Sequence, residues 1–165
     1  IERAHSRMES LIDDVLTLAR SRSRVADIEQ LDHSALITDC WASVETKTAT
    51  LDIRVQQSIQ ADEGRLKQLL ENLFRNSIEH GGTDVTVTVG ELETGFFVED
   101  NGTGIEAAER NDVFSDGYST HEEGTGFGLT IVKQAVEAHD WNIQVTDGPD
   151  GGARFEISGV EFDAE

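Results

Sequence analysis

The residues best suited to chemistry fall in three short stretches. The first, Asn72-Leu-Phe-Arg-Asn76-Ser-Ile-Glu-His80, spaces two amides and an imidazole four residues apart. On a helix that spacing puts all three on one face. Amides are costly to bury without partners, so such a row wants something polar opposite it. An amide oxygen is a hard donor suited to Mg2+, which also takes phosphate oxygens and water. A solvated polar face is the alternative. The second stretch, Asp100-Asn-Gly102-Thr-Gly104-Ile105, ends an apolar run. Its glycines let the backbone approach a ligand closely or turn through positive φ. Its Asp, close to apolar Ile105, can accept a hydrogen bond from an exocyclic amine. An ordinary Asp-Asn-Gly turn is the alternative. The third stretch, Gly124-Thr125-Gly126-Phe127-Gly128-Leu129, opens a helical pattern. Glycines there free N–H groups to face an anion, unless they form a plain hinge. No Gly-Lys-Ser/Thr follows, which excludes a Walker loop. No clear strand precedes it and the spacing is wrong for a dinucleotide fingerprint.

The elements that must position these groups are legible as periodic runs. Residues 1–22 predict a helix: Ile1, Ala4, Met8, Leu11, Val15 and Leu18 repeat at spacings of three and four, and Ile12, Leu16 and Ala19 widen the stripe. That is a seam seeking a partner helix. The polar stretch 21–28 marks the one convincing boundary, giving a helix at 1–22, a linker at 23–28 and a second unit at 29–165. Asp32 can cap a helix carrying Leu36, Ile37, Cys40, Trp41 and Val44. Residues 50–61 alternate as strand material. Asp62 caps a strongly periodic helix that stops at Gly81-Gly82. Residues 84–90 and 95–100 predict a hairpin, 101–126 an irregular Gly-rich segment, 127–139 a helix, and 142–147 and 153–160 two closing strands. Helices and strands are segregated, which predicts an α+β two-layer sandwich with helices on one face of a mixed sheet.

Composition narrows the partners. The 165 residues carry 13 Lys+Arg against 33 Asp+Glu, a net charge of −20. Such a surface repels nucleic acid and an anionic membrane leaflet, so neither is an expected partner. Only Lys47, Lys67 and Lys133 are lysines. The apolar segments are too periodic for a disordered acidic tail. The balance points to a folded protein of a high-salt cytoplasm, where screening over about 3 Å at 1 M tolerates self-repulsion. One Pro, one Cys and 15 Gly exclude collagen-like, low-complexity and disulfide-rich classes. Cys40 alone cannot form an internal bridge, which points to a reducing compartment. No run approaches the roughly 18 apolar residues of a membrane span, and no signal peptide is visible. The chain opens mid-pattern on Ile1 and reads as an excised fragment.

Taken in order, the three stretches resemble the ATP-binding catalytic end of sensor histidine kinases of two-component signalling. Asn72 to His80 resembles the family's N box, DNGTGI at 100–105 its first glycine box, VFSDGYST at 113–120 its F-box region, and GTGFGL at 124–129 its second glycine box. Residues 1–20 resemble the second dimerisation helix, and the acidic, Lys-poor style resembles a haloarchaeal member. The resemblance implies a Bergerat (GHKL) α/β sandwich, a fold shared with gyrase, mismatch-repair and heat-shock chaperone ATPases, preceded by a single bundle helix. It implies ATP and Mg2+ as cofactors. Asn76 would ligate the metal, Asn72 would help hold the metal–phosphate region, and His80 would lie beside them. Asp100 would bind the adenine amino group, with Gly102, Gly104 and Ile105 shaping the pocket. Gly124, Thr125, Gly126, Phe127, Gly128 and Leu129 would wrap the phosphates. Residues 105–123 would be the ATP lid, packed by Phe114, with Tyr118 a further candidate.

The sequence departs from the family at three positions. Glu79 stands where many members carry a basic residue, which removes a phosphate contact that His80, Arg110 or His121 would have to replace. Ser77 replaces an Ala and Phe127 a Leu. The family's phosphoacceptor motif, a His followed by an acidic residue, Leu-Arg and a Pro, has no counterpart here. His5 is followed by Ser6-Arg7-Met8, His33 follows a cap, and His139 sits near a helix end, where a cation is welcome or where it packs against Trp141. The resemblance therefore implies a cytoplasmic kinase domain that phosphorylates a His on a first dimerisation helix absent from this chain. It implies a response regulator as downstream partner and a homodimer in the full-length protein, and leaves open whether that parent is anchored in a membrane. A nucleotide-responsive module without catalysis, and another Bergerat-fold ATPase, are the competing readings.

Overall fold

In a computed structural model, residues 28–44, 48–81, 84–102, 128–148 and 151–162 are described, together with Ile12. The expected helix at 1–22, the linker and the lid lie outside the described residues, apart from helical Ile12 and Ile28. Ten elements follow in chain order: β1 Glu29–Leu31, α1 His33–Ala42, β2 Thr50–Arg54, β3 Ile59–Ala61, α2 Glu63–Gly81, β4 Thr86–Leu92, β5 Gly95–Asp100, α3 Gly128–Ala138, β6 Asn142–Asp147 and β7 Ala153–Ser158. Five strands form one sheet in the order β2-β4-β5-β7-β6. The β2–β4 pair is parallel and the other three pairs are antiparallel. A parallel neighbour demands a crossover rather than a tight turn, and α2 lies in that crossover.

The sheet has one apolar face. Val87, Val89, Phe96, Val98, Phe155 and Ile157 are all buried, at alternate positions of three adjacent strands. The α2 stripe of Leu66, Leu69, Leu70, Leu73 and Phe74 is fully buried in the same core. Trp41 of α1 meets Phe74 edge-to-face at 5.3 Å. The opposite sheet face is polar. There Arg154 stacks on the Phe97 ring at 3.9 Å and pairs with Glu99 and Glu156. This is the two-layer arrangement that segregated helix and strand patterns imply.

The helix starts follow local chemistry. Asp32 Oδ1 accepts the Ala35 N–H, and Asp62 Oδ1 accepts the Arg65 N–H, each satisfying an orphan donor of the first turn. Residues 50–61 differ from the expectation of one strand-forming run. The Glu91 carboxylate accepts the N–H groups of both Gln56 and Gln57, so the β2 ladder ends and the chain turns. β3 then pairs with β1 in a separate two-stranded sheet. The three-residue β1 has no alternating pattern and was not expected. Cys40 is buried, and its thiol is pushed up to about 12, chiefly by burial and then by the Glu71 charge. That keeps it protonated and unreactive.

His33 is an anomaly among the described residues of the core. It is fully buried against Phe96, ring to edge at 4.8 Å, and neither ring nitrogen has a hydrogen-bond partner among the described residues. Burial lowers its pKa to about 4, against a smaller opposing pull from Asp32. The unfolded chain therefore binds a proton between about pH 6.5 and 4 that the folded chain does not. Stability from this group is present above pH 6.5 and falls as pH drops, by roughly 3 kcal/mol across the window. We expect His33→Leu to flatten the loss of stability between pH 6.5 and 5 in urea titrations. An unchanged slope would contradict the assignment.

Candidate functional site

The C-terminal half of α2 and the end of β5 carry the polar groups that the core does not need. Asn72 is buried although polar. Its Nδ2 donates to the Gln68 carbonyl at 2.7 Å, and its Oδ1 accepts from Arg75 Nη1 at 3.3 Å. One turn further on, Asn76 is half-buried, and no partner for its side-chain amide lies among the described residues. Both Asn residues share a helix face, as the spacing requires. His80 is helical, but its side chain lies outside the described residues. Glu79 is half-buried. A guanidinium on Asn72 and none on Asn76 makes the two amides chemically unequal. A guanidinium already sits on the Asn72 oxygen, whereas among the described residues none reaches the Asn76 oxygen.

Asp100 ends β5 with its side chain on the apolar face, and only 4 % of it is exposed. Its Oδ1 accepts the Gly102 N–H at 3.0 Å and the Ala153 N–H at 3.3 Å. The first bond is the Asx turn that Asp-Asn-Gly commonly makes, so the plain turn reading holds as far as it goes. A surface turn does not explain a carboxylate buried in the core and bonded across the sheet to β7. The next residue is tied down too, because Asn101 Oδ1 accepts the Thr86 N–H at 2.8 Å.

Two residues that the sequence reading treated only as a strand connection complete this corner. Gly148 donates its N–H to the Gly152 carbonyl at 2.7 Å. A Cβ on Gly148 would stand 2.7 Å from the Asp100 carbonyl oxygen, and one on Gly152 would stand 1.8 Å from it. The turn can therefore lie against the Asp100 backbone only because both positions lack side chains. About fifty residues separate these glycines from Asp100, and only the sheet brings them together.

Of the remaining expected residues, Gly102 is the partner of Asp100, and Gly128 and Leu129 open α3 with Leu129 buried. Gly104, Ile105, Gly124, Thr125, Gly126 and Phe127 lie outside the described residues. Of the two readings of His139, the packing against Trp141 is the one found. The imidazole stacks on Trp141 with ring centroids 4.0 Å apart, and burial is the largest influence on its lowered pKa. Among the described residues no helix is long and apolar enough to cross a membrane.

Residues 61–163 match the family described as "Histidine kinase-, DNA gyrase B-, and HSP90-like ATPase". The chain belongs to this family of ATP-binding domains. It is 32 % identical over 164 residues to sporulation kinase A of Bacillus subtilis (strain 168), covering 93 % of this chain and 27 % of that protein. It is 31 % identical over 165 residues to the sensor histidine kinase ZraS of Klebsiella oxytoca, covering 93 % and 35 %. The chain thus spans about a third or less of the length of these curated relatives. Among solved structures it is similar to full-length ShkA in complex with AMPPNP, with a TM-score of 0.72, 25 % identity, and coverage of 94 % of this chain and 36 % of that one. The mycobacterial sensor histidine kinase MprB shares the fold, with a TM-score of 0.68, 24 % identity, and coverage of 81 % and 97 %.

The glycine turn yields a paired prediction. Gly152→Ala should lower the melting temperature and weaken ATP binding at least tenfold, because its methyl group displaces the Asp100 backbone. Gly151→Ala, in the same turn, has nothing within 4 Å of the added Cβ and meets only the strain of φ +83°. That costs about 1–2 kcal/mol and should leave ATP affinity within about threefold. Calorimetric titration and thermal melts of both variants check the contrast. Equal effects on affinity would contradict it.

Proposed function

We propose that the chain is the nucleotide-binding catalytic part of a protein-histidine kinase. It binds Mg-ATP and presents the γ-phosphoryl group to a histidine on a dimerisation helix that this chain does not contain. A response regulator then takes the phosphoryl group from that histidine. The observation that carries the reading is Asp100. It is a buried carboxylate with one oxygen fixed by two backbone N–H groups. With Oδ1 so held, the other oxygen is oriented to accept a hydrogen bond from the exocyclic amine of adenine. A 6-oxo purine offers a second acceptor there and is rejected, since an unmade buried hydrogen bond costs about 1–3 kcal/mol.

Asn76 is the proposed metal ligand. The donor set fits: an amide oxygen is hard, and its side chain has no described partner. Asn72 acts differently, because Arg75 on its oxygen opposes direct ligation of a second cation. Its role is to hold Arg75 and the helix face in register beside the phosphates. Mg2+ supplies charge neutralisation of the phosphates when bound. The residues of this chain orient the nucleotide, which for phosphoryl transfer is most of the work. Gly124 to Leu129 are proposed to receive the phosphates at the start of α3.

Residues 1–22 are proposed as the second dimerisation helix and 23–28 as the linker, with the full-length protein a cytoplasmic-facing homodimer at this end. Ile12 is helical and 56 % exposed, which supports an apolar stripe awaiting a partner. The net charge of −20 supports a high-salt interior, and assays belong in molar KCl.

Three measurements test the reading. Asp100→Asn keeps an acceptor for Gly102 and Ala153 but turns a donor toward adenine. We expect ATP affinity to fall at least a hundredfold with little change in melting temperature. Asn76→Ala should abolish the effect of Mg2+ on ATP binding, and a parental metal response would sink its assignment. Supplying the acceptor helix in trans with γ-labelled ATP should give acid-labile, base-stable label on histidine. Free phosphate alone would favour another ATPase of the same fold.

A further inference from the structure

His139 makes three directed contacts that the nucleotide site does not explain. Its Nε2 accepts the backbone N–H of Asp62 at 3.0 Å, its Nδ1 lies 2.8 Å from the Ala135 carbonyl, and its ring stacks on Trp141. A backbone N–H can only donate. Nε2 is therefore the unprotonated nitrogen, and Nδ1 carries the proton that goes to Ala135. The ring sits where α3 ends. Trp141 N–H bonds the Val136 carbonyl and Asp140 N–H bonds the Glu137 carbonyl. That is a Schellman termination, with Asp140 rather than glycine in the left-handed position at φ 61°.

Asp62 is the residue that starts α2. The bond therefore joins the C-terminal end of α3 to the N-terminal end of α2, and these two helices pack extensively. They run antiparallel, so the Gly128 end of α3 is directed toward the half of α2 that bears Asn72 and Asn76. Asn76 lies about 21 Å along α2 from Asp62, and Gly128 about 16 Å along α3 from His139. Slippage or tilt at the pinned end carries to the other end, because packed helices shift as rigid units.

We propose that His139 is a positioning residue: it pins the start of α2 to the end of α3 and so sets how Asn72 and Asn76 face the phosphate-binding end of α3. This rests on the nucleotide reading given above. Protonation of Nε2 would set two donors against each other and release the pin. Asp62 and Arg65 face the ring from α2 with opposite charges; Asp62 favours the charged form, while Arg65 and burial oppose it.

The test compares the 165-residue parent with His139→Gln, which keeps a neutral acceptor, and His139→Leu, which keeps bulk alone. At pH 7.5 we expect ATP affinity to fall at least tenfold in His139→Leu and to stay within about threefold in His139→Gln. As pH is lowered from 7.5 through and below the ordinary histidine range, for as long as the chain stays folded, the parent should lose more affinity than His139→Gln. Over the same range the side-chain amide NMR signals of Asn72 and Asn76 should move in the parent and stay fixed in His139→Gln. Parental affinity in His139→Leu would overturn the proposal, as would identical pH profiles in parent and His139→Gln. If His139→Leu does not fold, the comparison of parent with His139→Gln decides. If the parent binds no ATP, the nucleotide reading fails and the NMR comparison decides the pin alone: co-titrating signals support it, and signals static in both proteins overturn it.

Discussion

A carboxylate inside a core must be held or it will not stay. Asp100 is held by two backbone N–H groups from opposite directions, one from its own turn and one from the neighbouring strand. Hydrogen bonds to charged groups contribute about 1.5–3 kcal/mol each, against a desolvation cost of several kcal/mol. The balance is close, so the position is defensible only where the backbone comes to the side chain. The order β4-β5-β7 brings β7 beside Asp100, and glycines at 148 and 152 let the following turn close over its carbonyl.

α2 divides its labour along its length. Its apolar stripe fills the core and fixes the helix on the sheet, while Asn72 and Asn76 leave amide groups along one edge. Arg75 distinguishes the two amides by occupying one oxygen. On the proposed reading this division is useful, since metal ligation needs an oxygen free of a competing cation. The arrangement gives the chain positioned polar groups along α2 and at the end of β5.

The helices were legible because their signals are local. Asp32 and Asp62 cap as the sequence suggests, and Leu66, Leu69, Leu70 and Leu73 are buried as their period demands, with Ile78 of the same stripe half-buried. The hairpin of β4 and β5 and the closing strands were equally plain, each within a few residues. Residues 50–61 misled, because alternation says nothing about a distant Glu91 that captures two backbone N–H groups and ends the ladder. β1 was invisible, as three residues carry no period. At the site, Asp100 and the Asn pair stood out by residue type and spacing. Gly148, Gly152 and Arg75 did not, and of the two readings of His139 the packing against Trp141 is the one found. The approach of the glycines to Asp100 and of His139 to Asp62 is set by sheet order and helix packing, which no local pattern encodes; Arg75 meets Asn72 within one helical turn. His33 looked like an ordinary residue after a cap, and only burial reveals it as an unpartnered ring.

The central claim is that the Asp100 carboxylate reads the edge of a purine while Asn76 holds the metal between α2 and the phosphates. A crystal structure of this chain with Mg2+ and a non-hydrolysable ATP analogue tests both at once. The account predicts an Asp100 carboxylate oxygen about 3 Å from the adenine exocyclic nitrogen and the Asn76 oxygen about 2.1 Å from the metal. An adenine ring seated away from Asp100, or a metal bound without Asn76, would contradict it.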